Sequence, residues 1–318
     1  IVSVLATLWS GNYFVPINID NPSKRIIAIQ NQADLKYIIT TRDLAKAKQL
    51  SNISIIDLDS ISAQNDFQII DVKTKALIYA IFTSGTTGIP KGVTISHRSL
   101  LNTVLNINKK FQITANDSTF AISDLSFDLA MYDVFGMLLA GGKIVFCAQA
   151  NVKEPKKWLS LINKHQITLW NSVPMLFSML LEQIKSELPF KHVFLSGDWI
   201  SVNVVNKAHD VCPKAQIVSL GGPTETTIWS IHYILKRKTN YDFIPYGYPL
   251  ANHQYYVLND NLSLCGYDQL GELYAGGFGL ARDYINNPKL TDKYFIQHTK
   301  YGRLYKTGDL GFLTKEYG

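Results

Sequence analysis

A short run of hydroxyl-bearing residues and glycines, "TSGTTGIPKG" at 83–92, has the composition of a loop that holds an anion. Glycine lets the backbone approach a ligand, hydroxyls donate hydrogen bonds, and a lysine adds positive charge. The spacing is not that of a Walker A loop, because the lysine comes too late and a glycine follows it. By itself the run is also compatible with a flexible turn. Its polar and glycine residues are Thr83, Ser84, Gly85, Thr86, Thr87, Gly88, Lys91 and Gly92.

The composition is that of an ordinary globular chain. The 318 residues are 47% hydrophobic and 18% charged, which is enough apolar material for a sizeable core. The net charge of +6 is scattered, and no aromatic-flanked basic stripe accompanies it. A nucleic-acid partner is therefore a weak interpretation, and small anions or acidic protein surfaces are at least as compatible with this charge.

The cysteines and the termini bear on the compartment. Cys147, Cys212 and Cys265 stand far apart without a CxxC spacing, so they predict neither a disulfide framework nor a zinc site and fit a reducing cytoplasm. The uncharged first nineteen residues are interrupted by polar residues, glycine and proline, which predicts a short helix, a turn and a strand, not a signal peptide or a membrane span. Both ends break off within a pattern, so we expect a piece of a longer protein.

The elements that must position the loop alternate along the chain. Apolar runs such as "RIIAIQ" and "ISIIDL" predict strands, whereas "NQADLKYIITTRDLAKAKQL" predicts helix. A buried strand is expected on each side of the loop, and strand and helix units continue to about residue 220. This rhythm indicates α/β layers over 1–230. Residues 231–318 are richer in strands set off by Gly and Asn, and we expect a β-rich, barrel-like lobe there.

The loop "IFTSGTTGIPKGV" resembles the phosphate loop of the adenylate-forming superfamily, which includes nonribosomal peptide synthetase adenylation domains, acyl-CoA synthetases and luciferases. Four more stretches match that family in the right order: "GNYFVPIN", "GGPTETTIWS", "GELYAGGFGLARDY" and "YKTGDL". Together they span nearly the whole chain. The resemblance implies the large core of that fold.

The resemblance also implies roles in ATP binding. The loop with Lys91 would hold the β- and γ-phosphates, and Thr224 and Glu225 would meet the α-phosphate and Mg²⁺. A carboxylate suits Mg²⁺, which prefers hard oxygen ligands and shares them with phosphate. Asp309 would accept the ribose hydroxyls. The adenine would be framed by Gly197, Ser219, Leu220, Gly221 and Gly222. Apart from this resemblance, the alternative interpretations are that Glu225 caps a turn and that Asp309 simply follows a glycine in a loop.

The stretch "LSFDLAMYDVFG" at 125–136 concerns the second substrate. In family members that activate amino acids, the Asp of this "FD" pair binds the α-ammonium group, and Asp128 occupies its place. A buried carboxylate needs a positive partner to stay charged, and an amino acid supplies one. The alternative is an Asp that caps the following helix. Two neighbouring acids, Asp124 and Asp133, are expected to be solvated helix residues.

Aligning on the motifs gives the residues around the substrate side chain. No second charge lies among them, three large aromatic rings limit the depth, and Asn171 and Ser196 are the small polar groups. This predicts a small, weakly polar substrate, and the series resembles that of cysteine-activating domains, with Phe194 where Leu is usual. Serine, threonine and small aliphatic amino acids remain competitors. The lining residues are Asp128, Leu129, Tyr132, Asn171, Phe194, Ser196, Leu220, Ile228 and Trp229.

The sequence therefore predicts an enzyme that activates an amino acid, with L-cysteine as the best candidate, to aminoacyl-AMP and pyrophosphate. Family members then load the acyl group onto the phosphopantetheine of a carrier domain, beside condensation or cyclisation domains. They also carry a small mobile C-terminal domain with a lysine, which we expect to be absent here, so that this piece alone is impaired. The alternatives are another acid-activating ligase, such as an acyl-CoA synthetase, and a silent module kept for contacts within a synthetase.

Overall fold

Short apolar strands separated by amphipathic helices build most of the secondary structure. A computed structural model describes residues 1–50, 53–62, 68–83, 90–184, 186–237 and 243–315. The helices are α1 (Val2–Trp9), α2 (Ser23–Ala33), α3 (Arg42–Ala47), α4 (His97–Lys110), α5 (Leu129–Met131), α6 (Met137–Ala140), α7 (Pro155–His165), α8 (Pro174–Leu181), α9 (Val202–Val211) and α10 (Pro288–Tyr294). A π-helical turn, Tyr132–Gly136, joins α5 to α6.

The strands are β1 (Tyr37–Thr40), β2 (Ser54–Asp57), β3 (Leu77–Thr83), β4 (Lys91–Ser96), β5 (Ser118–Ala121), β6 (Lys143–Phe146), β7 (Leu169–Ser172), β8 (His192–Leu195), β9 (Gln216–Gly221), β10 (Ile231–Leu235), β11 (Tyr248–Pro249), β12 (His253–Leu258), β13 (Gly271–Gly277), β14 (Phe295–His298) and β15 (Gly302–Gly311). The fold is mixed α/β, as the sequence predicts. The chain divides into two units.

The first unit comprises residues 1–98 and 281–293. It holds a parallel pair, β1 and β2, and an antiparallel pair, β3 and β4. A small core forms where Ile29 and Ala33 of α2 pack with Phe82 and Ile285. Within this unit β3 and β4 are almost wholly buried, which fits their continuous apolar sequence.

The second unit comprises residues 99–280 and 294–318. Its seven-stranded sheet has the order β11-β10-β9-β8-β7-β5-β6, in which β5 to β9 pair in parallel and β10 and β11 are antiparallel. One face of this sheet carries the large core that includes Trp158, Trp170 and Phe177. The strands of residues 231–235 and 248–249 thus extend the parallel sheet, and the domain boundary placed at residue 230 stays a prediction.

A second sheet of this unit, with the order β12-β13-β15-β14, is antiparallel throughout. It accounts for the β-rich sequence after residue 250. The sheet is open, because its edge strands β12 and β14 do not pair with each other in the described ranges.

Two local predictions fail near the N-terminus. The run "RIIAIQ" is not a strand but lies inside α2, where Ile26, Ile29, Gln30 and Ala33 are buried at helical spacing. The segment 31–50 contains the strand β1 between α2 and α3 instead of one helix. The strands predicted on either side of the loop, and the helix after it, are confirmed. No helix in the described ranges is both long and apolar enough to cross a bilayer.

Candidate active site

The predicted phosphate loop connects β3 to β4 in the first unit. Thr83 and Lys91 face each other as the last paired positions of this antiparallel hairpin. Ser84, Gly85, Thr86, Thr87 and Gly88 lie outside the described residues, so the cradle itself stays a prediction. Its two ends are fixed, because Gly92 is packed so closely against Phe82 and Ile285 that a Cβ atom there would collide with both side chains.

The predicted amino-acid pocket belongs to the second unit and begins at the carboxyl ends of β7, β8 and β9. Asn171 of β7 pairs in register with Phe194 of β8, and both are fully buried. Their sequence neighbours Trp170 and Val193 point to the opposite face, into the large core. Ligands of open α/β sheets bind beyond the carboxyl ends of the strands, and this end of the sheet fits that rule.

Three aromatic side chains from different segments meet beside these strands. The ring centroid of Tyr132 lies 4.9 Å from that of Trp229 and 5.9 Å from that of Phe194, and Phe194 meets Trp229 edge-on at 5.9 Å. The Trp229 indole N–H donates to Ser196 Oγ at 2.9 Å, and Tyr132 Oη donates to Asn108 Oδ1 at 2.8 Å. The structure therefore brings together four of the residues predicted to line the pocket, and it holds their polar tips in place.

Asp128 stands directly before α5, four residues ahead of Tyr132 in the same helical segment. Its side chain does not cap α5 but accepts a hydrogen bond from Thr224 Oγ1 at 2.7 Å. Burial raises the pKa of Asp128 to about 6; the Thr224 hydroxyl lowers it, and the negative charge of Glu225 raises it further. Among the described residues no lysine, arginine or histidine forms an ion pair with Asp128. The carboxylate thus lies in a place where a cation would be stabilised.

Glu225 is buried, within a short 3₁₀ turn, Thr224–Thr226, whereas Asp128 is half-buried. The charge of Glu225 acts on Asp128, so two carboxylates repel each other here. A divalent cation beside Glu225 would relieve this repulsion. Mg²⁺ typically takes one or two protein carboxylates and completes its shell with phosphate oxygens and water, and Glu225 fits that requirement. No cluster of three or more acidic, His or Cys ligands exists in the described part of the chain.

A network of hydroxyl groups holds the turn formed by Gly221 and Gly222 at the end of β9, called here the glycine turn. Gly222 has φ +130°, a conformation that residues with a Cβ atom rarely adopt. Ser230 Oγ lies 2.8 Å from Thr226 Oγ1 and 2.7 Å from the hydroxyl of Tyr255. The Tyr246 hydroxyl is hydrogen bonded to Tyr255 and to the Gly222 backbone, and burial raises its pKa. These hydrogen bonds therefore fix the backbone of the glycine turn, which is predicted to frame the adenine.

The backbone just beyond this turn is strained. Thr227 has φ +66° and Ile228 has φ +63°, although both are β-branched and such residues seldom adopt the left-handed region. Each such residue costs on the order of 1–3 kcal/mol and is kept only where surrounding contacts fix it. Here Thr227 Oγ1 donates to the Gly279 carbonyl and Thr103 Oγ1 donates to the Thr227 carbonyl. The strain lies between the predicted metal ligand and Trp229.

The remaining predicted residues are placed as follows. Ser219 and Leu220 are buried on β9, and Ile228 is buried beyond it. Gly197 follows β8 with φ +80°, and a Cβ there would lie within 3.7 Å of Leu129. Asp309 is exposed on β15, and its charge acts on Tyr246 and Tyr255. Their roles stay predictions.

The sequence reasoning missed two residues at this site. Asp133 is fully buried and not solvated as expected, whereas Asp124 is exposed. Tyr246 packs on the glycine turn, so closely that a Cβ atom on Gly221 would collide with its ring. A signal for Asp133 exists in the sequence, because it is flanked by apolar residues on both sides.

Comparisons with known proteins agree with this picture. A model of the family described as AMP-binding enzyme matches residues 1–285. Bacitracin synthase 1 of Bacillus licheniformis is 39% identical over 323 residues, covering 99% of this chain and 6% of that protein. Pyochelin synthetase PchF of Pseudomonas aeruginosa is 37% identical over 318 residues, covering 98% of this chain and 18% of PchF. The chain thus spans a small part of the length of these relatives.

Solved structures of a nonribosomal peptide synthetase, FmoA3, share the fold. The form with bound AMPPNP has a TM-score of 0.92 at 30% identity, covering 98% of this chain and 34% of that chain. The form with bound α-methyl-L-serine-AMP has a TM-score of 0.90 at 29% identity, covering 98% and 36%. The chain belongs to the AMP-binding enzyme family and is an adenylate-forming ligase homologous to the adenylation domains of nonribosomal peptide synthetases.

Proposed function

We propose that this protein activates an amino acid with ATP, giving aminoacyl-AMP and pyrophosphate, and that the amino acid is L-cysteine. The observation that carries the proposal is Asp128: a carboxylate that accepts a hydrogen bond from Thr224, lacks an ion-pair partner among the described residues, and precedes Tyr132 of the predicted pocket by four residues. An α-ammonium group is the partner that this carboxylate requires. FmoA3 has been solved with α-methyl-L-serine-AMP, which supports an aminoacyl-adenylate as the product.

The chemistry is an in-line displacement. A substrate carboxylate oxygen attacks the α-phosphorus of ATP, the bond from that phosphorus to the bridging oxygen breaks, and pyrophosphate leaves with the electron pair. Such a step requires mainly positioning and charge stabilisation from the protein. We assign Asp128 to the ammonium group, Thr224 to the α-phosphate and Glu225 to Mg²⁺, which supplies positive charge to the phosphates. Lys91 and the Ser/Thr/Gly loop bind the β- and γ-phosphates, while Asp309 and the glycine turn bind the nucleoside.

The pocket supports a small side chain. Tyr132, Phe194 and Trp229 pack against one another, so little depth remains beyond Asp128. No lysine, arginine, aspartate or glutamate other than Asp128 stands among the predicted lining residues, which disfavours charged substrates. Cysteine has the small, weakly polar side chain that this lining favours, and serine, threonine and small aliphatic amino acids remain competitors, because one hydroxyl or methylene changes the binding energy by only a few kcal/mol.

The aminoacyl group is then passed, in our proposal, to the phosphopantetheine thiol of a carrier domain in the same synthetase, next to condensation or cyclisation domains. The similarity to parts of bacitracin synthase 1 and PchF supports this. An acyl-CoA synthetase remains the main alternative, and Asp128 argues against it, because a fatty or aryl acid has no ammonium group to pair with a carboxylate. We place the reaction in the cytoplasm.

The raised pKa of Asp128 predicts a pH dependence. A carboxyl whose pKa is about 6 becomes protonated as the pH falls through 6, and its attraction for the ammonium group is then lost. We expect the KM for the amino acid to rise about tenfold per pH unit below pH 6 and to be flat from pH 7 to 8. The measurement is ATP–pyrophosphate exchange between pH 5 and 8. The KM for ATP serves as a control, and a flat KM for the amino acid down to pH 5 would contradict the assignment.

The experiment that tests the proposed function is amino-acid-dependent ATP–pyrophosphate exchange with the natural full-length protein and each of the twenty amino acids. Cysteine is expected to give the highest rate. Exchange with another amino acid would retain the reaction and refute the substrate. Exchange only with carboxylic acids that lack an amino group would favour the acyl-CoA synthetase alternative. The absence of any nucleotide binding would favour the other alternative, a catalytically silent module kept for contacts within a synthetase.

A further inference from the structure

Asp133 is a buried acid that the proposed reaction does not use. It lies in the π-helical turn Tyr132–Gly136, one residue after Tyr132 of the pocket, and its exposed fraction is 0%. Single π-turns within helices occur frequently at functional sites, because they change the direction of the side chains that follow. The turn points Asp133 toward the sheet, where it meets β5 and β7.

The two oxygens of the Asp133 carboxylate differ in their hydrogen-bond partners. Its Oδ1 accepts hydrogen bonds from Thr119 Oγ1 at 2.9 Å and from Asn171 Nδ2 at 3.1 Å. Its Oδ2 has no hydrogen-bond partner among the described residues, and none of their ion pairs includes Asp133. Burial raises the pKa of Asp133 to about 7, although both donors lower it. Burying a carboxylate that has an unpaired oxygen is energetically unfavourable, so the role of Asp133 is best sought in the two side chains that it binds, Thr119 and Asn171.

Asp133 and the Leu129 carbonyl together hold the side chain of Asn171 in one orientation. Asn171 Nδ2 donates to Asp133 Oδ1 and also to the main-chain carbonyl of Leu129, at 3.2 Å. A main-chain carbonyl can only accept a hydrogen bond, so the amide must present its nitrogen, not its oxygen, on this side. The amide oxygen, Asn171 Oδ1, is then left buried without a hydrogen-bond partner among the described residues.

Asn171 stands beside the predicted pocket, because Phe194, which pairs in register with it, packs against Tyr132 and Trp229. Its unpaired amide oxygen is thereby a candidate partner for a group on the substrate side chain. A buried acceptor without a partner is unfavourable, and a donor on the ligand would relieve it. A site built to hydrogen-bond a substrate group rejects analogues that lack the group, because its own polar atom would then stay unpaired.

We propose that Asp133 is a positioning residue that locks Asn171 with its oxygen toward the substrate, so that the pocket selects side chains carrying a hydroxyl or thiol donor over aliphatic side chains of the same size. The inference rests on the proposed function, since it concerns the same pocket. It separates cysteine, serine and threonine from the small aliphatic competitors.

The test compares a donor with its closest analogue without a donor, cysteine with L-2-aminobutyrate, as the ratio of their kcat/KM values in ATP–pyrophosphate exchange with the full-length protein. We expect a ratio of at least about tenfold in the wild type. The ratio should fall close to one in Asn171→Ala. It should also fall, though less far, in Asp133→Leu, which keeps a branched side chain but removes the acceptor, so that only the Leu129 carbonyl still holds the Asn171 amide. In Asp133→Asn it should be retained, because the new amide oxygen can still accept from Asn171 and Thr119.

The ratio separates positioning from mere structural support, since damage to the fold lowers kcat/KM for both substrates together. The double variant Asp133→Leu/Asn171→Ala should have the same kcat/KM ratio as Asn171→Ala alone, because Asp133 acts on the ratio only through Asn171. If Asp133→Leu does not fold, Asp133→Ala and the single variant Asn171→Ala carry the same comparison. An unchanged ratio in the Asp133 or Asn171 variants, or a wild-type preference for an aliphatic amino acid, overturns the inference and leaves amino-acid activation intact. No exchange with any amino acid overturns the proposed function itself.

Discussion

Replacing Asp128 by alanine is expected to lower kcat/KM for the preferred amino acid by about 150-fold to 5,000-fold. Removing one partner of a buried ion pair costs about 3–5 kcal/mol, because the remaining charge is left without compensation. In Asp128→Ala the ammonium group of the substrate would be that charge. The measurement is ATP–pyrophosphate exchange over a range of amino-acid concentrations, with nucleotide binding measured separately.

The protein offers a matched control for this variant. Asp124 lies four residues earlier, is exposed, and accepts hydrogen bonds from the hydroxyl and backbone N–H of Ser126. Asp124→Ala should leave kcat/KM within about twofold of the wild type. Loss of Asp128 should not lower the melting temperature at pH 7, because burial of this carboxylate, whose pKa is raised, opposes folding once both folded and unfolded forms are ionised. Equal activities of the two alanine variants would refute the role of Asp128.

Replacing Gly222 by alanine is expected to lower both stability and nucleotide binding. The residue has φ +130°, and its new Cβ would collide with Ser230 Oγ and lie 2.8 Å from Thr226 Oγ1 and 3.0 Å from the Ser230 backbone nitrogen. Relief requires Ser230 to leave its hydrogen bonds to Thr226 and Tyr255. We expect a loss of about 2–4 kcal/mol in the free energy of unfolding, from the backbone strain and the broken bonds together. A urea titration and a nucleotide-binding isotherm measure the two effects.

Gly302→Ala is the control, because this residue also has a positive φ, +74°, but no atom lies within 4 Å of the new Cβ. It should cost about 1–2 kcal/mol, the typical penalty of placing a side chain at such an angle. If Gly222→Ala were as mild as Gly302→Ala, with nucleotide binding unchanged, the hydroxyl network behind the turn would not have the supporting role assigned to it here.

Some of the fold follows directly from local sequence. The strands β3 and β4 are continuous apolar runs, and such runs predict buried strands without further information. In contrast, "RIIAIQ" is a short apolar run that resembles a strand, although the spacing of Ile26, Ile29, Gln30 and Ala33 has a helical period. That period extends beyond the run itself, so the run alone does not indicate the helix.

Parts of the site could not be predicted from any local pattern. The positive φ angles of Thr227 and Ile228 contradict the preference of β-branched residues and exist because tertiary hydrogen bonds from Thr103 and to Gly279 fix them. The apolar neighbours of Asp133 indicate burial, but the direction of its side chain depends on a π-turn that propensities do not indicate. Tyr246 reaches the glycine turn from another segment of the chain. Sequence motifs predict the residues that contact the substrates. The residues that support them, such as Asp133 and Tyr246, are identified only by their tertiary contacts.

The central claim is that this enzyme adenylates an amino acid whose ammonium group binds Asp128. The most direct test is ATP–pyrophosphate exchange by the full-length protein with all twenty amino acids, run in parallel on the wild type and on Asp128→Ala. We predict one dominant signal, with cysteine, that disappears in Asp128→Ala and persists in Asp124→Ala. Exchange with cysteine that is unaffected by Asp128→Ala, or exchange stimulated only by acids without an amino group, would contradict the claim.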